Sequence, residues 1–423
     1  MNSTVAIRPR EESLKQKWAG VAEQMPVNPQ QYSFDPPERE MRFIRVQFPT
    51  DLEMERYRWY REEWYRRAKE FDPGEAPLAV CCELVSACNL NCSMCYTITE
   101  EYQSSVVGAQ RVLPWPVVRD IIDECAMIGV PSMLFSWRGE STLYKSLFDG
   151  KEYRFADVLA YARQKGILEI TSLTNGFNID EDMAHAIVAA EPSWLSVSID
   201  GLDVTYNKIR FPKVAPESES PFETVISNIR CIIAARDAAG KTRPQIRTNT
   251  IFPAIAGNAQ AYHTFMEELG IGWITVNELL DFRGTGLDGD LLPEDAVIKD
   301  WACQYPFQRL TVSANGVILP CTGAHNEESA LLLGRYRGTK VKMVTDTDGN
   351  TKEISLPETT IADAWKSRKL EAIRQMHREN RRTEIRPGCQ NCRHGAVKHG
   401  VEWLPDNWDM EKMEWKGRHW RNG

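Results

Sequence analysis

The sequence predicts an α/β fold in which a mostly parallel sheet rolls into a full or partial TIM-type barrel, followed by a smaller module. Three observations predict it. Short apolar runs alternate with helical segments from Pro77 to about Phe282, the pattern of a parallel sheet with crossover helices. Right-handed crossovers curl such a sheet toward a barrel. The texture then changes at Lys299, where the alternation gives way to a hairpin signal and spaced cysteines.

In chain order, residues 1–40 are polar and proline-bearing and read as irregular. Asp51 to Phe71 reads as one charged, aromatic-rich helix, ended by the breakers Asp72-Pro73-Gly74. Tyr57, Trp59, Tyr60, Trp64 and Tyr65 either pack that helix across the next domain or offer a platform to a substrate or partner. Residues 1–77 are thus a helical and irregular extension. The barrel occupies 78–290, with strands at Leu78–Leu84, Ser132–Ser136, Glu169–Thr174, Trp194–Ile199, Gln245–Thr250 and Trp273–Val276. Helices between them fall at Trp115–Ile128, Phe155–Lys165, Glu181–Ala190, Pro221–Ala239 and Tyr262–Leu269. The second module, 299–395, opens with a hairpin around Asn315-Gly316. It continues through Lys340–Ser355, with a tip at Asp348-Gly349-Asn350, to one helix from Thr360 to about Asn380. The tail, 396–423, carries Trp403, Trp408, Trp415 and Trp420, which are expected to pack back on the body because large aromatics are usually buried.

Composition narrows the function. Of 423 residues, 42% are apolar and 26% charged, and the net charge is −8. An acidic balance argues against a dedicated nucleic-acid binder, since phosphate contacts need a basic surface. No apolar run approaches the ~20 residues of a membrane span, and Met1–Arg10 lacks the apolar region of a secretory signal. The expected location is the cytoplasm, where clustered cysteines more often hold metal than disulfides.

The chain has 11 cysteines. Cys81, Cys82, Cys125 and Cys231 look scattered. Cys88, Cys92 and Cys95 form C-x3-C-x2-C directly after the first strand, where active sites of such barrels lie. Three thiolates can hold three corners of an iron–sulfur cube and leave its fourth iron open. A zinc site or incidental thiols is the competing reading, but zinc normally takes four ligands, and no His or fourth Cys lies nearby.

This triplet on the loop after a first barrel strand resembles the radical S-adenosylmethionine (radical SAM) superfamily, over about Leu78 to Phe282. The resemblance implies a partial (β/α)6 barrel, with a 4Fe-4S cluster on Cys88, Cys92 and Cys95. It implies that the open iron chelates SAM through its amino and carboxylate groups. The reduced cluster then cleaves the sulfonium to a 5′-deoxyadenosyl radical, which abstracts a substrate hydrogen atom. Trp137-Arg138-Gly139-Glu140-Ser141 stands where the family carries Gly-Gly-Glu-Pro, with Arg for the first Gly and Ser for the Pro. Gly139 would let backbone approach the SAM ammonium, and Glu140 would accept from it; an ordinary strand-end turn is the alternative. Thr174-Asn175-Gly176 ends the third strand, as is common in the family. Ser196-Val197-Ser198-Ile199-Asp200-Gly201, with Tyr206 and Arg210, resembles the fourth-strand segment of members that carry auxiliary clusters. It implies that Ser198 contacts the ribose and Arg210 the carboxylate; for Arg210 the alternative is a surface salt bridge. Met94 stands where the family often places an aromatic residue near adenine.

Cys303, twelve residues, Gly316, four residues, Cys321 resembles the opening of the SPASM and twitch domains, and Cys389-Gln390-Asn391-Cys392 supplies a later pair. Gly334 and Thr360–Trp365 resemble the segment between. The resemblance implies a small α+β twitch domain whose four cysteines hold a second, fully ligated 4Fe-4S cluster, with structural zinc as the alternative. No cysteine follows Cys392, which selects the twitch form with two clusters in total.

A closed cluster suits electron transfer. The resemblance to twitch enzymes then implies a biosynthetic oxidoreductase that dehydrogenates a sugar or aminocyclitol-type small molecule. An external donor such as flavodoxin or ferredoxin would reduce it. Glu278, Asp281 and His325 are candidate bases, each also readable as a polar loop residue. Peptide crosslinking or thioether formation is a second reading. It is less favoured because residues 1–77 do not resemble the three-strand, three-helix leader-binding module of peptide maturases. Redox-neutral epimerisation is a third, with Cys81, Cys82, Cys125 or Cys231 as hydrogen donor; free Cys is commonly just core. A non-catalytic electron carrier or zinc scaffold is the remaining class.

Overall fold

The computed structural model describes residues 8–9, 31–33, 37–99, 102, 112–214, 220–277, 279, 302–339, 344–345, 351–352, 356–392, 404 and 408–416. After helices α1 (Pro37–Gln47) and α2 (Asp51–Glu70), strands and helices alternate. They run β1 (Ala79–Cys82), α3 (Trp115–Met127), β2 (Ser132–Leu134), α4 (Phe155–Gln164), β3 (Glu169–Thr174) and α5 (Glu181–Ala190). Then follow β4 (Trp194–Ser198), α6 (Asp203–Ile209), α7 (Pro221–Ala238), β5 (Gln245–Ile251), α8 (Ala259–Glu268) and β6 (Trp273–Asn277).

The six strands lie in the sheet in sequence order, and each pairs with its neighbour in parallel. This is the partial (β/α)6 barrel, where the apolar alternation left full or partial closure open, and all six strands fall where the alternation places them. Val80, Met133, Ile170, Leu195, Ile246 and Ile274, one from each strand, are buried in a single core with the covering helices. Parallel strands buried on both faces need such near-continuous apolar runs.

Helix α2 starts at a capping box, in which Thr50 Oγ1 accepts from the Glu53 N–H and Glu53 reaches back to the Thr50 N–H. Its Tyr57, Tyr60, Trp64 and Tyr65 pack on Leu78 and Leu168. Those two residues immediately precede β1 and β3, so α2 closes the N-terminal end of the barrel. Four of the five aromatics thus pack at the end of the barrel opposite the cysteine triplet, whereas Trp59 is 50% exposed and stays outside this cluster.

Beyond the barrel the sheet continues. Strand β7 (Arg309–Val312) pairs in parallel with β1, then come β8 (Val317–Leu319), β9 (Gly334–Tyr336) and β10 (Glu358–Thr359). The β7–β8 hairpin turns at Asn315-Gly316, where Gly316 has φ +78° and any Cβ would collide with the Thr339 side chain. The second module is thus built onto the free edge of β1 rather than onto a sheet of its own.

Two expectations change. The single helix expected from Thr360 to Asn380 is two, α9 (Ile361–Trp365) and α10 (Arg368–Arg378). Ser367 breaks it: its Oγ accepts from the Leu370 N–H and caps a fresh N-terminus. Residues 1–40, read as irregular, contain Gln31–Ser33, which pairs antiparallel with β6, and Arg8–Pro9, which pairs with that strand in turn. The edge of β6 exposes unpaired backbone groups, and local composition does not reveal which segment will cover them. In Lys340–Ser355, Val344–Thr345 pairs with Thr351–Lys352; the Asp348-Gly349-Asn350 tip lies outside the described residues.

Candidate active site

The cysteine loop is bound to the segment that follows α6. Asn91 N–H donates to Phe211 O (2.8 Å), Ser93 N–H to Ile209 O (2.9 Å) and Lys213 N–H to Asn89 O (2.9 Å). This ladder carries Arg210 to the triplet, with Nη1 3.7 Å from Cys92 Sγ. Asp200, just past β4, fixes Arg210 from behind: Oδ2 accepts from Arg210 Nε (2.6 Å), and Oδ1 accepts from the Ile251 N–H (2.8 Å). Arg210 is therefore an interior residue and not part of a surface salt bridge. Burial raises the pKa of Cys88 to about 11, and the neighbouring Glu140 and Cys95 charges push the same way. Burial raises Cys92 further, and Cys88 and Cys95 add to it. Three soft thiols that feel one another's charge are a donor set suited to an iron–sulfur cube, whose binding must displace their protons.

Gly139 lies against the backbone of this loop. A Cβ there would sit 2.6 Å from Ala87 O and closer still to Val85 O, while the Glu140 N–H donates to Ala87 O (2.8 Å). The glycine thus permits a close approach, as expected, but to the segment leading into Cys88. Glu140 is buried and ties two strand ends together. Its Oε1 accepts from Thr142 N–H and Oγ1 and from Thr174 Oγ1 (2.7 Å), and its Oε2 accepts from the Asn175 N–H (2.7 Å). Asn175 Nδ2 in turn stands 3.7 Å from Cys88 Sγ and donates to Asn89 Oδ1 (2.7 Å). Ser198 is half-buried at the end of β4. Met94 packs against the cluster of Leu279, Trp408 and Trp415, as does Ile251.

Arg138 is used in a way its position in the motif does not suggest. Its side chain is fully buried and pairs with Glu83 (2.6 Å) and Glu327 (2.9 Å), and donates to His325 O (3.0 Å). Glu83 also accepts from the Ala314 N–H (2.9 Å), and Glu327 from Asn315 Nδ2 (2.9 Å). One guanidinium thus joins the ends of β1 and β2 to the β7–β8 hairpin and the segment beyond Cys321. Trp137 lies under it, 3.9 Å from ring centroid to Cζ, and donates from Nε1 to Thr322 O (2.9 Å). His325 stacks on Trp137 and meets Tyr96 OH through Nδ1 (3.0 Å). Tyr96 follows Cys95 and Thr322 follows Cys321, so these side chains link the two cysteine sets directly.

Cys303, Cys321, Cys389 and Cys392 line one cavity together with His377 and Arg382. Burial raises Cys303 to about 12, with Cys392 adding to it, and burial likewise raises Cys321 and Cys389. His377 Nδ1 accepts the Cys303 N–H (3.2 Å), leaving Nε2 to carry the proton, 3.9 Å from Cys389 Sγ. Burial and the Arg382 charge lower its pKa to about 4, so the ring is neutral. Arg382 donates to the carbonyls of Cys389 and Cys392. Among the described residues, no three His, Cys, Asp or Glu side chains are gathered for a single ion. The roles of His377 and Glu83 were invisible in the sequence, because Cys303 lies 74 residues from the one and Arg138 55 from the other. Arg382 and Asp200 act on nearer neighbours, and Asp200 stands out in the sequence only as part of the fourth-strand segment.

Of the candidate bases, His325 lies between the two cysteine sets, whereas Glu278 and Asp281 lie outside the described residues. Of the candidate hydrogen donors, Cys82 and Cys125 are buried in the main core and Cys231 packs against it. Cys81 donates to Ser136 O (3.1 Å). No described helix is long and apolar enough to cross a membrane.

Near Cys321, Glu328 is buried and its Oε2 has no hydrogen-bond partner among the described residues. Burial raises its pKa from 4.5 to about 7. The folded protein therefore holds this proton more tightly than the unfolded chain. Stability that is full below pH 4.5 is lost as the pH rises through about 7. Glu328→Gln is expected to leave the melting temperature unchanged at acid pH and to raise stability by roughly 2–3 kcal/mol at alkaline pH. Parallel melting curves with equal effects at both ends of that range would refute it.

Comparison with known proteins follows the same region. Residues 82–226 match the model of the Radical SAM superfamily. The chain is 33% identical over 146 residues to Fe-coproporphyrin III synthase of Methanosarcina barkeri (strain Fusaro / DSM 804), covering 34% of this chain and 33% of the relative. It is 28% identical over 197 residues to AdoMet-dependent heme synthase of the same organism, covering 45% of this chain and 50% of the relative. The matches thus span half or less of these curated relatives. Among solved structures, it is similar to BtrN in complex with AdoMet and 2-DOIA, at 14% identity and TM-score 0.43, covering 77% of this chain and 96% of that one. It is also similar to SuiB of Streptococcus suis bound to precursor peptide SuiA, at 14% identity and TM-score 0.47, covering 81% and 78%. The cysteine loop and the first part of the parallel barrel, residues 82–226, are thus the segment of this chain that matches the Radical SAM superfamily.

Proposed function

We propose that the chain is a radical SAM oxidoreductase with two 4Fe-4S clusters, acting on a small molecule of the sugar or aminocyclitol type. Cys88, Cys92 and Cys95 would hold the SAM-binding cluster, and Cys303, Cys321, Cys389 and Cys392 the auxiliary one. With SAM bound, the first cluster supplies the 5′-deoxyadenosyl radical, and hydrogen abstraction leaves a substrate radical. Arg210, held by Asp200, is placed to pair with the SAM carboxylate, and Glu140 Oε2, the less loaded oxygen, to accept from its ammonium. Ser198 is the candidate ribose contact. His325 is the candidate base that would take the substrate proton, and a cluster held by Cys303, Cys321, Cys389 and Cys392 would supply the acceptor for the remaining electron. That step balances as loss of one hydrogen atom, one proton and one electron. The observation that carries this reading is the Tyr96–His325–Trp137 link between the two cysteine sets. It supports a shared chamber in which one site starts the chemistry and the other finishes it.

A tetrapyrrole substrate is the second reading, favoured by two relatives named for coproporphyrin and heme synthesis. Peptide maturation and epimerisation have weaker support in the residues above.

Anaerobic reconstitution should load about eight irons per chain, falling to about four in Cys389→Ala/Cys392→Ala. Iron unchanged by that double substitution, or zinc in its place, would remove the auxiliary cluster. Reduced protein mixed with SAM should release 5′-deoxyadenosine, and Cys92→Ala should abolish the release. Persistent release from that variant would overturn the catalytic assignment. Mass spectrometry of aminocyclitol and tetrapyrrole candidates, read for loss of a hydrogen pair, separates the substrate readings.

A further inference from the structure

The C-terminal segment returns to the triplet. Trp408–Asp409 and Glu414–Trp415 form a hairpin of two-residue strands. An isolated hairpin this short has no stability of its own, so its place is set by what it touches. Trp408 and Trp415 are each 2% exposed and meet edge-to-face at 5.1 Å. They pack on Met94 in the cysteine loop, on Ile251 at the end of β5 and on Leu279 just past β6. All three lie at the rim of the barrel that carries the cysteines. Two hydrogen bonds clamp the turn. Ser93 Oγ, between Cys92 and Met94, donates to Met413 O (2.5 Å), and Lys208 Nζ, two residues before Arg210, donates to Glu411 O (2.8 Å).

Trp408 is a second, independent pointer. Its Nε1 is buried and has no acceptor among the described residues. Indole N–H can only donate, and a buried donor without a partner is costly. An aromatic pair that leaves a donor unsatisfied beside Met94 suits a flat, nitrogen-rich heterocycle better than a plain core.

We propose that this hairpin is the roof of the SAM site: the Trp408–Trp415 pair walls the adenine against Met94, with Trp408 Nε1 donating to an acceptor of the adenosyl group. This rests on SAM binding at the triplet. The hairpin is then a positioning element, absent from the matched residues 82–226, that sets SAM affinity and shields the radical from water.

The test compares the intact chain, a chain lacking residues 404–423, Trp408→Phe and Lys208→Met, all with reconstituted clusters. In the truncated chain, iron content and cluster absorbance should be unchanged. The KM for SAM should rise about tenfold or more, the scale set by one lost aromatic contact and one hydrogen bond. More 5′-deoxyadenosine should also form per product. Trp408→Phe keeps the ring and loses the donor, and should raise KM several-fold with kcat little changed. Lys208→Met loosens the clamp without altering the hairpin and should fall between. Tighter SAM binding on truncation would make the hairpin a plug and overturn the proposal. Unchanged KM and coupling would show a purely structural tail and overturn it as well. If the intact chain itself releases no 5′-deoxyadenosine, the SAM reading fails first, and that outcome is separate from either.

Discussion

Arg138→Ala is expected to cost about 3–5 kcal/mol of stability, the scale for removing one member of a buried ion pair. The side chains of Arg138 and Glu83 are wholly buried and that of Glu327 nearly so. Removing the guanidinium leaves two carboxylates facing each other without solvent, and the Trp137 ring loses its cation. The damage should be local in its chemistry. The Arg138–Trp137 pair holds Thr322, His325 and Glu327, so the anchor of the segment after Cys321 is released. Iron should fall by about four per chain while the triplet cluster persists. Anaerobic denaturant titration and iron analysis measure both effects. Neutralising the abandoned acids, as Arg138→Met with Glu83→Gln and Glu327→Gln, should recover much of the stability, because the penalty is unpaired charge rather than lost attraction. A single variant that stays within 1 kcal/mol of the parent, with full iron, would show that the joint is not needed.

Gly139→Ala is expected to destroy the triplet cluster. The added methyl would meet the carbonyls of Val85 and Ala87, and these are backbone atoms that cannot rotate away. Overpacking of this kind costs about 1–3 kcal/mol, but the functional loss should be larger. The Val85–Ala87 segment must move, the Glu140 N–H bond to Ala87 O is strained, and Cys88 follows directly. The expected outcome is loss of the SAM-responsive signal in electron paramagnetic resonance, with no 5′-deoxyadenosine formed. The auxiliary iron should remain, which distinguishes this variant from Arg138→Ala. Normal cluster spectra and turnover in Gly139→Ala would show that the close approach can relax.

The parts of this molecule that were legible in the sequence share a cause. Strands and helices of the barrel follow from local apolar periodicity, so Glu169–Thr174 and Glu181–Ala190 could be placed to the residue. The triplet was legible because its three cysteines lie on one loop. The break at Ser367 was harder, since a helix that stops and restarts differs from a continuous one by a single capping bond. Arg138 could be seen to depart from the family pattern, but not why. Its partners lie 55 and 189 residues away. His377 reaches Cys303 across 74 residues, and Ser93 reaches Met413 across 320.

By itself, the sequence determined the kind of chemistry available: two sets of cysteines, an α/β barrel to carry the first, and the residue types that a SAM cluster loop requires. Tertiary structure alone decided how these parts are joined. It built the second module onto the edge of β1, made the unexpected Arg138 the joint between them, set Asp200 behind Arg210, and brought Trp408 and Trp415 over Met94, while Trp403 and Trp420 lie outside the described residues. The physical reason is that burial turns distant groups into obligatory partners. A buried charge must find its counter-charge and a sheet edge must be paired, wherever in the chain the partner happens to lie.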